Sequence, residues 1–269
     1  MRELKWYYPR KLEEVVELLR EPGVVPHGGG TGILRTGTAK LKGLIDLRGL
    51  PLHDFRASKE SVEIGAARTF AEVVEDMGRL DPGSVLVQAL SQAASTPLRN
   101  RITVGGSVAL APIWSDLLGP LVALGAEVSL IGAHEGYYPV ADFVRDRVLH
   151  KGTLITGVRF GADRWRAHYF RAARTTFDYA SFNLTVLLKK GAGGLIEDCR
   201  LVVVGNKRQF KRLEEQEKDL IGYKVGEVDF AALATRVKVD FTPKALGSPE
   251  YIRHLFGVEL ERGLVAVTA

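Results

Sequence analysis

The sequence holds a single cysteine, Cys199, in 269 residues. That excludes an internal disulfide, a multi-cysteine zinc site and a self-contained iron–sulfur cluster. No apolar run approaches the roughly 20 residues that span a bilayer. The longest, about 117–126, is interrupted by Gly119 and Pro120. The opening MRELKWYYPR puts charges and aromatics where a secretory leader needs an apolar stretch, so a soluble, cytoplasmic protein is expected. Runs of like charge are also missing. The densest basic patch, 207–212, leads into Glu214, Glu215 and Glu217, the pattern of a solvated helix face. The net charge of +5, from 37 basic and 32 acidic residues, is therefore not read as a nucleic-acid footprint. The six histidines are scattered with no H-E-x-x-H pair, so no metal site is expected.

Hydrophobic residues make up 46 % of the chain and charged residues 26 %, a globular composition. A chain this long buries about 70–75 % of its unfolded surface and needs no covalent staple. Leu12, Val15, Val16 and Leu19 recur at helical spacing before Pro22-Gly23 stops the helix. Short strands are expected at Val24-Val25 and over 44–47, giving a βαβ-type unit that ends near residue 55. A second unit opens with the alternating strand Val62, Ile64, Ala66. Thr69 and Glu72 form a T-x-x-E capping box ahead of a helix that buries Phe70, Val73, Val74 and Met77. Further helices are expected over 84–94 and 117–124, the latter capped by Asp116. Strands over 127–131 and 154–160 close the unit.

Beyond residue 165 the pattern turns to hairpins, with strands over 168–172, 181–188 and 195–205. A charged helix over 210–220, another over 230–237 and a last one started by Ser248-Pro249 complete the tail. The fold class is α+β. The expected domains are 1–162, in two subdomains of about 1–55 and 56–162, and 163–269.

Glycine is the residue in excess, 29 of 269. Gly28, Gly29, Gly30 and Gly32 surround Thr31 and precede Ile33. Backbone without Cβ atoms lets successive N–H groups converge on an anion. The loop lacks the Gly-Lys-Ser/Thr ending of a Walker A motif and the G-x-G-x-x-G spacing of a Rossmann turn. A second stretch, Thr103-Val104-Gly105-Gly106-Ser107, offers N–H and hydroxyl donors from what reads as a double-glycine turn. Each stretch alone is also compatible with a plain surface turn. Two of them in one chain suggest a bipartite site.

The order GGGTG, PLRN-x-x-TVGGS, SD-x-L, LVALGAEV and TLITGVRF resembles the FAD-binding medium subunit of molybdenum hydroxylases, the xanthine dehydrogenase and carbon monoxide dehydrogenase family. The tail GSPEYIR is similar to that family's Gly-Ser-x-x-Tyr-Arg helix start, so the likeness runs nearly the whole chain. It implies a vanillyl-alcohol-oxidase (PCMH) type flavin domain followed by a small antiparallel sheet-plus-helices domain. By the same resemblance, Gly28 to Ile33 wrap the FAD pyrophosphate. Thr103, Gly105, Gly106, Ser107 and Asp116 line the flavin site, with Leu149 packing near the isoalloxazine and Arg171 approaching it. FAD is expected to be non-covalent, although His27 stands where an aliphatic residue is common. The segment 174–178 lacks the paired arginines usual there.

The resemblance further implies a large molybdopterin-binding subunit and a small [2Fe–2S] subunit as partners, assembled as a dimer of heterotrimers. The chain is expected to be an oxidoreductase subunit that passes electrons through flavin, with no catalytic side chain of its own. The rival readings are a stand-alone flavin oxidoreductase of the same fold and a non-catalytic scaffold subunit.

Overall fold

A computed structural model describes residues 4–269, and within it the chain divides into two compact units. The division does not follow one cut in the chain. The first unit holds the residues up to Val73 with Thr96–Ala111 and Gly125–Ala162. The second holds Val74–Ser95, Pro112–Leu124 and Asp163–Ala269. The architecture is mixed α and β, as expected.

The first unit contains two sheets. Strands β1 (Lys5–Tyr7), β2 (Val24–His27) and β3 (Gly43–Asp46) form a parallel sheet in the order β1-β3-β2. Parallel neighbours need a crossover, and the helix Leu12–Leu18 supplies one, burying Val15 against Val24, Ile45 and Leu47. The second sheet is antiparallel and comprises β4 (Phe55–Ala57), β5 (Ser61–Gly65), β6 (Glu127–Gly132), β7 (Gly136–Pro139) and β8 (Thr153–Gly161), ordered β4-β5-β8-β6-β7. One register row, Arg56, Glu63, Arg159 and Glu127, alternates in charge across four of its strands. The Arg159 guanidinium bonds Glu127 at 2.8 Å and lies 3.3 Å over the Tyr137 ring. The Thr69/Glu72 capping box is present, with Glu72 accepting from the Thr69 amide at 2.8 Å and the Glu72 amide donating to Thr69 Oγ1 at 3.3 Å.

The second unit is built on the antiparallel sheet β9 (Arg166–Ala172), β10 (Phe182–Lys190), β11 (Ile196–Asn206) and β12 (Gln209–Arg212), ordered β12-β11-β10-β9. Strand β10 is buried on both faces. One face packs on the 20-residue helix Pro249–Thr268 through Phe182, Phe256, Leu260 and Leu264. Ser248 caps that helix by accepting from the Tyr251 amide at 3.3 Å. The helix Leu118–Ala123 packs against β10 and β11, with Gly119 so close that a Cβ would stand 2.9 Å from Thr185 Oγ1. Cys199 is fully buried, and burial pushes its thiol pKa far up.

Three local expectations are corrected. Residues 210–220 are not one helix. The alternating residues 209–212 pair with β11 as β12, and the helix covers only Glu214–Leu220. The double glycine of the second stretch is not a turn but lies inside the helix Val104–Leu110, where Gly105 packs against Ala66. Asp116 does not cap the helix at 118. The Leu118 amide donates to Ser115 Oγ at 3.2 Å, and the Asp116 carboxylate has other partners.

Candidate functional site

The first glycine loop follows directly from β2, where the parallel sheet ends. Gly30 adopts φ +75°, a left-handed conformation that favours glycine, and the short helix Thr31–Thr36 follows. The loop is pressed against the second stretch. A Cβ on Gly28 would stand 2.9 Å from Thr103 Oγ1, and one on Gly29 would fall on the Arg101 carbonyl oxygen. Gly32 approaches Leu110. The two glycine-rich segments, about 75 residues apart in sequence, are therefore in contact, and glycine is required for that approach rather than for flexibility.

The amides of the two segments are used differently. Among the described residues, the N–H groups of Gly28, Gly29, Gly30, Thr31, Gly32 and Ile33 donate no hydrogen bond. Those of residues 104–107 in the second stretch are engaged. Gly105 donates to the Ala66 carbonyl at 2.8 Å, Gly106 to Thr103 Oγ1 at 3.2 Å, and Ser107 to the Thr103 carbonyl at 2.9 Å. Thr103 and Arg101 thus form the wall against which the first loop lies, with Gly105 packed on Ala66 and Gly106 on Thr103. Among the described residues the Ser107 hydroxyl makes no hydrogen bond.

His27 closes the base of the loop. Its Nε2 sits 2.5 Å from where a Gly30 Cβ would be, and Trp6 meets its ring edge-on at 4.9 Å. Burial lowers the His27 pKa, opposed by nearby Asp46, so the imidazole is held toward its neutral form. Asp46 itself is buried and accepts from Arg48 at 2.6 Å, which draws its pKa down.

The remaining residues sit apart from this cradle in the sequence. Leu149, also in the first unit, is buried on the helical turn Arg147–His150. Asp116 and Arg171 belong to the second unit, where they form a buried ion pair at 3.0 Å. Tyr169 donates its hydroxyl to the same carboxylate oxygen at 2.6 Å, and Arg171 Nη2 donates to the Asp178 carbonyl at 2.6 Å. Burial pushes the Asp116 pKa up, against the Arg171 charge and both hydrogen bonds. Burial and the Asp116 charge raise the Tyr169 hydroxyl well above its ordinary value. Tyr169 was not anticipated as part of this group. Its signal was the period of two along β9, which puts Tyr169 on the face of Arg171.

Residues 2–161 match the FAD binding domain in molybdopterin dehydrogenase, and residues 167–267 match the CO dehydrogenase flavoprotein C-terminal domain. The chain belongs to the molybdopterin dehydrogenase FAD-binding family. The sequence resemblance to molybdenum hydroxylase flavin subunits is thereby borne out. Among curated relatives, indole-3-acetaldehyde oxidase of Zea mays is 25 % identical over 217 residues, 73 % of this chain and 16 % of that protein. The flavin-domain chain thus spans about a sixth of that oxidase. The glyceraldehyde dehydrogenase medium chain of Sulfolobus acidocaldarius is 26 % identical over 214 residues, 77 % of this chain and 76 % of that one. Quinoline 2-oxidoreductase from Pseudomonas putida 86 shares the fold of this FAD-binding chain with a TM-score of 0.89. That likeness covers 99 % of this chain and 97 % of the other at 20 % identity. Among the described residues no helix is long and apolar enough to cross a membrane, and no cluster of His, Cys, Asp and Glu could hold a metal ion.

Proposed function

We propose that this chain is the electron-transfer subunit of a heteromeric molybdenum hydroxylase. It would take electrons from [2Fe–2S] clusters of a small partner and pass them from FAD to an acceptor. The observation that carries the reading is the first loop. Six successive residues have unengaged amides, and at Gly28, Gly29 and Gly30 the backbone lies too close to its neighbours for a side chain. That is a donor set for the two phosphates of FAD, built without a lysine or a metal.

In this reading Gly28, Gly29, Gly30, Thr31, Gly32 and Ile33 hold the diphosphate. Thr103 forms part of the loop's wall, Gly105 and Gly106 lie in the helix that follows it, and Ser107 adds a hydroxyl. Leu149, Asp116 and Arg171 are retained as flavin-site residues on the family resemblance. The buried Asp116–Arg171–Tyr169 group keeps a fixed polar arrangement, with each charge paired before any ligand arrives. Bound flavin supplies the redox chemistry, accepting and donating one or two electrons. The chain supplies position and electrostatics, and no side chain acts as acid or base on a substrate. A lone buried cysteine agrees with clusters carried by another chain.

The proposed partners are a large molybdopterin-binding subunit and a small iron–sulfur subunit, in a cytoplasmic dimer of heterotrimers. The domain division at 162/163 is proposed likewise, supported by the two family matches.

The test is a titration of the folded chain with FAD, read by visible absorption and quenching of flavin fluorescence. Saturable binding with a structured flavin spectrum supports the cofactor. A folded chain that binds no FAD overturns it. Co-purification without any cysteine-rich or molybdopterin-binding partner would favour a stand-alone flavin oxidoreductase.

A further inference from the structure

We infer that Arg101 is the positioning residue of the glycine cradle, locking the Gly29–Gly30 peptide so that the Gly30 N–H is presented to the diphosphate; this rests on the FAD reading above. Arg101 Nε and Nη2 both donate to the Gly29 carbonyl, at 3.2 and 3.0 Å. The backbone carbonyl of the same Arg101 occupies the place of a Gly29 side chain. One residue, 72 positions away in sequence, thus holds Gly29 by both its main chain and its side chain.

The consequence follows from peptide geometry. A trans peptide is planar, and its C=O and N–H point in opposite directions. Pinning the Gly29 oxygen on the guanidinium therefore sets the direction of the Gly30 N–H. Without the pin, Gly28, Gly29 and Gly30 have no Cβ atoms to resist a peptide flip. The left-handed φ at Gly30 is reached at no cost to glycine, so it does not by itself hold the plane.

Arg101 adds a second contribution. Its side chain is exposed, and among the described residues no carboxylate pairs with it. The charge at the loop is left for an anion, which separates Arg101 from the internally paired Arg48 and Arg171. Lysine would keep the charge but not the two-donor fork on one oxygen.

The experiment compares the wild-type chain with Arg101→Ala and Arg101→Lys. Each is titrated with FAD and with riboflavin, which lacks the phosphates. The ligand-free proteins are labelled with ¹⁵N-glycine and the order parameters of the Gly29 and Gly30 amides measured. Arg101→Ala is expected to weaken FAD binding by about tenfold, the scale of a lost charged hydrogen bond. Riboflavin binding and thermal stability should stay as in wild type, because the side chain is exposed. The two amides should loosen from about 0.85 toward 0.6 in order parameter. Arg101→Lys should fall between the two in affinity and resemble Arg101→Ala in amide mobility. Wild-type FAD affinity in Arg101→Ala, or unchanged order parameters, overturns the assignment. If the wild-type chain binds no FAD, the cofactor reading fails, and the order parameters alone decide whether the clamp exists.

Discussion

Gly29 and Arg101 are in backbone-to-backbone contact, with the Arg101 carbonyl oxygen standing where any side chain on Gly29 would begin. A methyl group there must move main chain rather than a side-chain tip. Gly29→Ala is therefore expected to cost about 1–3 kcal/mol of stability, the usual penalty for overpacking, and to abolish saturable FAD binding. Gly78→Ala is the control, since a Cβ on that helical glycine meets nothing within 4 Å. It should stabilise by about 0.5–1 kcal/mol, the helix-propensity difference between the two residues. Urea unfolding of both variants checks the contrast in sign.

The Asp116–Arg171 pair gives a second expectation. Removing the carboxylate with Asp116→Ala leaves Arg171 buried and unpaired, which costs about 3–5 kcal/mol. Tyr169→Phe removes one donor but leaves the ion pair, and should cost only about 1–2 kcal/mol. Equal losses in the two variants, measured by chemical denaturation, would mean that the hydroxyl and not the ion pair is the main support.

Three histidines set a pH dependence. His27, His150 and His168 all have pKa values lowered from 6.5 by burial. Below 6.5 the unfolded chain takes up protons that the folded chain resists, so stability falls as pH drops through that value and levels off below the folded pKa values. Above it the three contribute no penalty. Denaturation midpoints at pH 7.5 and 5.5 should differ in that direction. His27→Gln should reduce the slope, because one of the three proton uptakes is gone.

His27 also bears on how flavin is held. Its Nε2 is packed into the space beside Gly30 and its ring lies against Trp6. A ring packed in that space is expected to support the loop rather than to bond a cofactor. After acid precipitation of the FAD-loaded chain, all the flavin is expected in the supernatant. Colour remaining in the pellet would show a covalent link.

What could be read in the sequence was whatever chemistry is local. The Thr69/Glu72 box, the Ser248-Pro249 start and the alternating strands of the tail each depend on residues within a few positions of one another, and each is found. The two glycine stretches were legible as a pair, but their roles were not. Sequence marks Gly105-Gly106 as a break, whereas Ala66 lies so close that only glycine fits the helix there. Asp116 looked like a cap because serine and aspartate both suit that position. Ser115 took the task, and a tyrosine and an arginine some fifty residues later took the carboxylate. Residues 210–212 looked helical by charge pattern, yet the adjacent β11 offered an edge to pair with. In each case the deciding partner was distant in the chain.

The second unit is assembled from three stretches of chain, and its helix Val85–Gln92 holds its place partly through Gln88. That side chain donates to the Ala167 carbonyl at 3.0 Å and accepts from the Tyr169 amide at 3.1 Å. During synthesis, therefore, the helices Val85–Gln92 and Leu118–Ala123 emerge long before the strands that cover them. A nascent chain stopped at residue 162 would carry both with their apolar faces bare, an invitation to chaperones or to aggregation. The join between the two family domains is for this reason a poor place to cut. An isolated N-terminal fragment should be made only with β9 to β11 supplied, on the same chain or as a co-expressed complement.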